Sequence, residues 1–506
     1  MQANIIQQNP AHKPKPIKFS LANEVSKRRD LGQVFTPEPV ADFMAALFRI
    51  DRHEVNLLDA GAGSGALSAA LVKQFCRAHR KPKRISLTAY EIDPALLPLL
   101  RATLDECQRE CISAGVLFSA FVFNEDFIET ATSMVSRDLF ATKSLRFNAA
   151  IVNPPYRKIR SDSMARQLLR SVDIETSNLY TGFIALIIRL LTDGGELVGI
   201  TPRSFCNGPY FKPFRTDFLQ TMALQRLHVF ESRTAAFKRD KVLQENVIFH
   251  AIKDKAKPDR VIISSSSGEP GSAVNESKVE YSDVIAPDDP EQFIHLTSNN
   301  GQAQARLAMN RLLATLPELG LSVSTGRVVD FRAKEFLRSH PENDTVPLVY
   351  PCHFNGGFVH WPKENSRKPN AIVSNQRTRE LLVPSGVYVL VKRFSPKEEK
   401  RRIVACIWDP KQISAELIGF ENHLNYFHIN GHGLPLILAK GLAAFLNSSI
   451  LDVYFRQFNG HTQVNATDLR SLNYPTKAEL KRIGRRIHNP SISQEELDAV
   501  VEKELF

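Results

Sequence analysis

Val55-Asn56-Leu57-Leu58-Asp59-Ala60-Gly61-Ala62-Gly63-Ser64-Gly65 is the stretch that decides the fold. Val55–Leu58 is a short apolar run that gives way to glycines, and Gly65–Ala78 after it has helical length and spacing. Glycines at alternate positions between a strand and a helix allow a tight turn and a close approach of the backbone to a ligand. Taken alone the loop decides little, because dinucleotide enzymes use similar ones and some such loops are only structural turns. The pattern, however, repeats. Strand candidates Ile85–Tyr90, Leu117–Phe123, Phe147–Val152 and Glu196–Ile200 alternate with helical stretches such as Ala95–Ala114 and Asn178–Leu191. This alternation predicts an α/β domain over residues 31–255, with a largely parallel sheet covered by helices on both faces. Two more strands, near Leu227–Phe230 and Asn246–Ala251, are expected to form an antiparallel edge pair.

Ligands of such sheets bind at the carboxyl ends of the strands, and those ends are chemically rich. The second strand ends in Tyr90-Glu91-Ile92-Asp93, where the Glu91 carboxylate can accept both hydroxyls of a ribose. The third runs into Asn124-Glu125-Asp126-Phe127, where Asp126 can accept from an adenine amine. Either acid alone reads equally well as a solvated strand end or a helix cap. The fourth ends in Asn153-Pro154-Pro155-Tyr156. An amide oxygen, a proline-held backbone carbonyl and an aromatic face can hold a planar exocyclic amine by two acceptors while stacking on its ring. Asn-Pro is also a common turn pair with no chemistry. The next loop carries Arg157, Lys158, Arg160, Arg166 and Arg170, either an ordinary solvated surface or a grip for phosphates.

The chain has 65 Lys and Arg against 54 Asp and Glu, a formal net charge of +11, which favours a polyanionic partner. No apolar stretch approaches the ~20 residues that span a bilayer, and the N-terminus lacks the apolar core of a secretory signal. Cysteines 76, 107, 111, 206, 352 and 406 show no paired CxxC spacing, and read as free thiols of a cytoplasmic protein. Histidines 353, 360, 423, 428, 432 and 461 fit no zinc pattern, so no metal is expected. Residues 1–30 read as a basic arm followed by a short helix, and 256–302 as a boundary region with one hairpin. Residues 303–506 read as a mixed α+β domain with strands at Gly386–Lys392 and Arg402–Trp408 and a late helix, Leu436–Phe455.

In their order and type the motifs of residues 31–252 resemble those of class I S-adenosylmethionine-dependent methyltransferases. Among these the chain is most similar to the gamma group of N6-adenine DNA methyltransferases of type II restriction–modification systems. The resemblance implies a Rossmann-like, seven-stranded, mostly parallel sheet followed by a target-recognition domain. It implies S-adenosylmethionine as methyl donor, bound by Phe35, Thr36 and Pro37, by Asp59, Gly61, Gly63 and Gly65, and by Glu91, Asp126 and Asn153. Asn153, Pro154, Pro155 and Tyr156 would form the catalytic tetrapeptide, with Tyr156 and Phe237 stacking on a flipped adenine. Asn178-Leu179-Tyr180, Gly195–Leu197 and Arg203–Phe205 also resemble later family motifs. Double-stranded DNA would be the partner, gripped in part by Arg157, Lys158 and Arg160, with a cognate restriction endonuclease alongside. In the second half Arg327, Phe331, Arg332, Lys334, Tyr388, Lys392, Arg393, Phe394, Arg401, Arg402 and residues Gly460–Asn465 are candidate readers of a site. The same tetrapeptide would also serve an RNA or protein-glutamine methyltransferase, and a non-catalytic DNA-binding subunit is the alternative outside enzymes.

Overall fold

The computed structural model describes residues 35–49, 51–138, 146–230, 245–268, 271–296, 300–395, 399–412, 415–458, 463–488 and 492–506. The basic arm 1–30, Phe237, Gly460, His461 and Thr462 lie outside the described residues. The chain divides into two compact units, 1–298 and 299–506.

The first unit is built on strands β1 (Glu54–Ala60), β2 (Arg84–Tyr90), β3 (Leu117–Phe123), β4 (Phe147–Val152), β5 (Leu191–Pro202), β6 (Met222–Phe230), β7 (Asn246–Lys253), β8 (Arg260–Ser266) and β9 (Asn275–Glu280). They form one nine-stranded sheet in the order β3-β2-β1-β4-β5-β7-β6-β8-β9. The first five in that order run parallel, and β7 is antiparallel to both neighbours. Helices α1 (Glu38–Ala46), α2 (Ala66–Arg77), α3 (Leu97–Ala114), α4 (Phe127–Asp138), α5 (Met164–Arg170), α6 (Leu179–Leu190) and α7 (Lys212–Thr221) accompany it. Central strands are apolar along their whole length because helices cover both faces. Every residue of β4 is buried, and its one polar side chain, Asn148, bonds the backbone of Asn56 and Glu54 in the neighbouring segment.

Two expectations are corrected here. The sheet has nine strands, not seven, because the stretch read as a boundary region supplies β8 and β9. Val261 and Ile263 of β8 are buried, and β8 pairs parallel to β6. The β6–β7 pair is antiparallel as expected, but it lies inside the sheet rather than at its edge.

In the second unit the described residues form a six-stranded and a five-stranded sheet. Tyr388–Lys392 and Ala405–Trp408 pair antiparallel in the former. The late helix breaks into Leu436–Leu446 and Ser449–Phe458, inclined at 55°. The break has a local cause: the Asn447 side chain bonds both backbone groups of Ala405, and the Ser448 hydroxyl donates to the Phe445 carbonyl. Leu436–Leu446 crosses Lys477–Arg486 through glycines, since a Cβ at Gly441 would stand 1.8 Å from the Leu480 carbonyl oxygen. Among the described residues no single helix is long and apolar enough to cross a membrane.

Candidate active site

Parallel strands share one carboxyl edge, and β1 lies between β2 and β4, where the strand order reverses. A crevice opens at such a point. There β1 runs into the glycine loop, whose Gly61 and Ala62 amides donate to the Tyr90 carbonyl at 2.9 and 2.8 Å. Gly61, Gly63 and Gly65 have φ of +82°, +58° and +85°, a region that strains any residue with a Cβ. At Gly65 a Cβ would also meet Leu100 Cδ1 at 2.9 Å, so α2 begins hard against α3.

Two buried carboxylates set this loop. Glu91 accepts from the Gly63 amide through Oε2 at 2.8 Å and from the Asp93 amide through Oε1 at 2.7 Å. Burial raises its pKa, and the two amide bonds oppose the rise. Asp59 lies beneath the loop with 1% of its surface exposed. Its Oδ2 accepts from the Ser68 hydroxyl at 2.6 Å, whereas Oδ1 is buried without a partner. Burial pushes the Asp59 carboxyl up to about 7; the Ser68 bond opposes this and the Glu91 charge adds to it.

Asp126 serves two purposes: its Oδ1 accepts from the Ile128 amide at 2.8 Å, capping α4, and the residue also lines the pocket. Asn124 anchors this turn by donating to the Glu91 carbonyl at 2.7 Å. Phe35, Gly61, Gly63, Glu91, Asp126, Asn153, Pro155 and Arg157 all line this one pocket. Thr36 reaches the site through its hydroxyl, which accepts from Asn153 Nδ2 at 2.9 Å, and Pro37 starts α1. Asp59, Gly65, Pro154, Tyr156, Lys158 and Arg160 are not among the lining residues. Leu179, from a segment that resembles a later family motif, lines the pocket, as do Ile92, Phe127 and Phe183, which the sequence reading did not single out. Ile92, directly after the strand-end acid and 48% exposed, and Phe127, directly after Asp126, are the signal that could have found them. They supply apolar faces for a flat ring.

At the end of β4 the Tyr156 hydroxyl donates to Asn153 Oδ1 at 2.9 Å and lies 3.2 Å from the Ile200 carbonyl. The Tyr156 ring meets Tyr180 edge-on at 6.2 Å, and the Tyr180 hydroxyl pairs with Ser204 at 2.9 Å. Among the described residues nothing donates to the Pro154 carbonyl. Arg157–Ile159 is paired with Ser177–Leu179, so the basic segment is held rather than loose. Its charge is also less uniform than expected, because Arg166 and Arg170 both engage Glu175. Arg157, Lys158 and Arg160 have exposed side chains.

Sheet order, switch-point crevice and carboxylate-braced glycine loop together define a class I S-adenosylmethionine-dependent methyltransferase fold. Residues 102–237 match the family model described as Eco57I restriction-modification methylase. The type II methyltransferase M.PstI of Providencia stuartii is 42% identical over 478 residues, covering 94% of this chain and 93% of its own. M.BsuBI of Bacillus subtilis, likewise named a type II methyltransferase, is 43% identical over 487 residues, covering 95% of each chain. The solved type IIG restriction endonuclease BpuSI is similar at TM-score 0.45 and 14% identity, over 95% of this chain and 67% of that one. The chain belongs to the type II methyltransferases of restriction–modification systems.

Proposed function

We propose that the protein is a site-specific DNA methyltransferase that moves a methyl group from S-adenosylmethionine to the N6 amine of an adenine flipped out of double-stranded DNA. Its role is to protect host DNA from a cognate restriction endonuclease. The carrying observation is the end of β4, where Asn153 lines the crevice with its amide oxygen oriented by the Tyr156 hydroxyl.

The residues fit the cofactor. Glu91 suits its ribose and Ile92 with Phe127 its adenine, while the buried Asp59 carboxyl beneath the glycine loop favours positive charge above that loop. When bound, S-adenosylmethionine supplies an electrophilic methyl on a sulfonium. The protein's part is positioning. A carbonyl oxygen has two acceptor positions. The Asn153 amide oxygen, oriented by the Tyr156 hydroxyl, and the Pro154 carbonyl would receive the two amine hydrogens. Accepting both leaves the nitrogen lone pair pointing at the incoming carbon, an effect of fixed dipoles and orientation. The exposed Arg157, Lys158 and Arg160 are placed to hold phosphates of the distorted strand. Extruding the base costs a few kcal/mol, and aromatic stacking, with Tyr156 as the nearest ring, offsets ~1–3 kcal/mol of it.

Expression in a methylation-deficient host, with modified bases mapped by single-molecule sequencing, tests this reading. One methylated adenine motif is expected, absent with Asn153→Ala although that variant still binds cofactor. Methylated cytosine, or near-normal methylation by the variant, would overturn the assignment.

A further inference from the structure

A second built arrangement lies in the second unit, at the turn Glu421–His423. This turn leads from strand Leu417–Phe420 of the five-stranded sheet into strand Leu424–His428 of the six-stranded sheet. Glu421 is fully buried, yet its carboxylate spends both oxygens on one residue: Oε1 pairs with His423 Nδ1 and Oε2 accepts from the His423 amide at 2.9 Å. Burying a carboxylate is costly unless it is well paired. The result is an imidazole with Nδ1 engaged and with 45% of the side chain exposed. Packed against it at 4.8 Å is Phe394, itself 43% exposed.

Neighbouring segments hold this pair from both sides. The Arg393 amide donates to the His423 carbonyl at 2.8 Å, and Arg393 Nη1 donates to the Asn422 carbonyl at 3.2 Å. The Asn422 amide donates to Val328, and the Val464 amide to Arg393. Among the described residues Arg393 Nε and Asn422 Oδ1 are buried without hydrogen-bond partners at the same corner. Groups left unmatched in an otherwise tightly bonded turn point to something that completes them. The unit also carries 27 Lys and Arg against 20 Asp and Glu, an excess that suits a polyanion.

We propose that His423, oriented by Glu421, and Phe394 read one base step of the DNA site from a groove. This deepens the function proposed above and rests on it. A phosphate would need only charge, which lysines and arginines supply. A ring fixed in one orientation offers instead a directional hydrogen-bonding atom, His423 Nε2, and the adjoining Phe394 ring offers an apolar face of the kind that meets a thymine methyl. Glu421 acts through His423 and is a positioning residue.

The experiment is motif mapping and steady-state methylation with the full-length protein and its His423→Ala, Phe394→Ala and Glu421→Gln variants. First the wild type must methylate a defined DNA motif, and if it methylates none the underlying function fails, not this inference alone. Given that, His423→Ala is expected to relax the motif at one base pair, lowering discrimination there roughly tenfold. Its KM for DNA should rise and, because the buried Glu421 loses its imidazole partner, its melting temperature should fall, while the cofactor dissociation constant stays at the wild-type value. Phe394→Ala should relax the same or the adjacent position. Glu421→Gln, which keeps an acceptor for Nδ1, should give a partial version of the His423→Ala change. An unchanged motif in both His423→Ala and Phe394→Ala overturns the proposal, including the case where KM rises equally for every sequence, which would mark a phosphate contact.

Discussion

The buried Asp59 carboxyl beneath the glycine loop is expected to make the binding of a cationic cofactor depend on pH, and the dependence can be worked out. The folded protein holds its carboxyl near pKa 7 against an ordinary 3.8, because it is buried and the Glu91 charge adds to the effect. An acid whose pKa is raised by folding contributes its full stability below the unfolded value and loses it as pH rises through the folded value. Without cofactor, then, stability should fall between about pH 4 and pH 7. The gap corresponds to a cost on the order of 4 kcal/mol once the group is ionised. A cation bound above the loop reverses the sign, since it favours the carboxylate. Apparent affinity is the intrinsic affinity multiplied by the competent fraction, and with a pKa near 7 that fraction rises from roughly 0.1 at pH 6 to roughly 0.9 at pH 8. The dissociation constant of S-adenosylmethionine, or of its demethylated product, should therefore fall about tenfold between pH 6 and pH 8 and then level off. Calorimetry in buffers of different ionisation enthalpy should show nearly one proton released at pH 6 and almost none at pH 8. Asp59→Asn should bind weakly at every pH, lose the proton release, and melt higher than wild type above pH 7. A flat affinity profile in the wild type, or the same slope in Asp59→Asn, would refute the reasoning.

Other outcomes follow from the same geometry. Tyr156→Phe removes the hydroxyl bonded to Asn153 and the Ile200 carbonyl, so kcat should fall, by about tenfold for the loss of one neutral hydrogen bond of ~1.5 kcal/mol, with cofactor affinity unchanged; equal loss of both would show a damaged fold. Gly65→Ala places a Cβ at φ +85° and against Leu100, and should weaken cofactor binding and cost about 2 kcal/mol in denaturant titration. Gly441→Ala drives a methyl into the Leu480 carbonyl and should cost about 3 kcal/mol or more, read as an early unfolding transition of the second unit with cofactor binding retained. Lys158→Ala with Arg160→Ala should raise the KM for DNA and reduce the slope of log KM against log salt by up to ~2, leaving the methylated motif unchanged.

The catalytic half was legible because its signals are local. Buried parallel strands such as β4 are continuous apolar runs, and their ends carry glycines, acids or Asn-Pro, so both fold and pocket could be read residue by residue. The pocket's apolar walls were not, since Phe183 looks like any core residue of α6 until the sheet brings it opposite Gly61. The two extra strands are the hairpin expected in the boundary region, β8 paired antiparallel with β9, and what stayed hidden is that they extend the sheet. β9 is polar and mostly exposed, and β8 ends in serines, three of them buried against the sheet, so neither shows the pattern expected of a strand at a sheet's margin. In the second unit the strands are only two to five residues long, too short to show a period. The orientation of the half-exposed His423 depends on Glu421, a residue that sequence alone marks as surface.

The acid pair behind the glycine loop explains why this loop could not be exchanged for a plain turn. Glu91 binds the Gly63 amide and raises the pKa of Asp59, so the two carboxylates oppose each other's ionisation across the site. Such a pair destabilises the empty protein, and a fold selected for stability alone would replace one of them. The cost is offset when a ligand brings positive charge, and S-adenosylmethionine carries two such groups, an ammonium and a sulfonium. Its demethylated product retains only the first. Repulsion between the acids therefore favours the substrate form over the product form, and it favours release after transfer. The corresponding measurement is the ratio of product to substrate affinity: replacing Glu91 by Gln should shift that ratio toward the product, and an unchanged ratio would assign Glu91 to holding the loop alone.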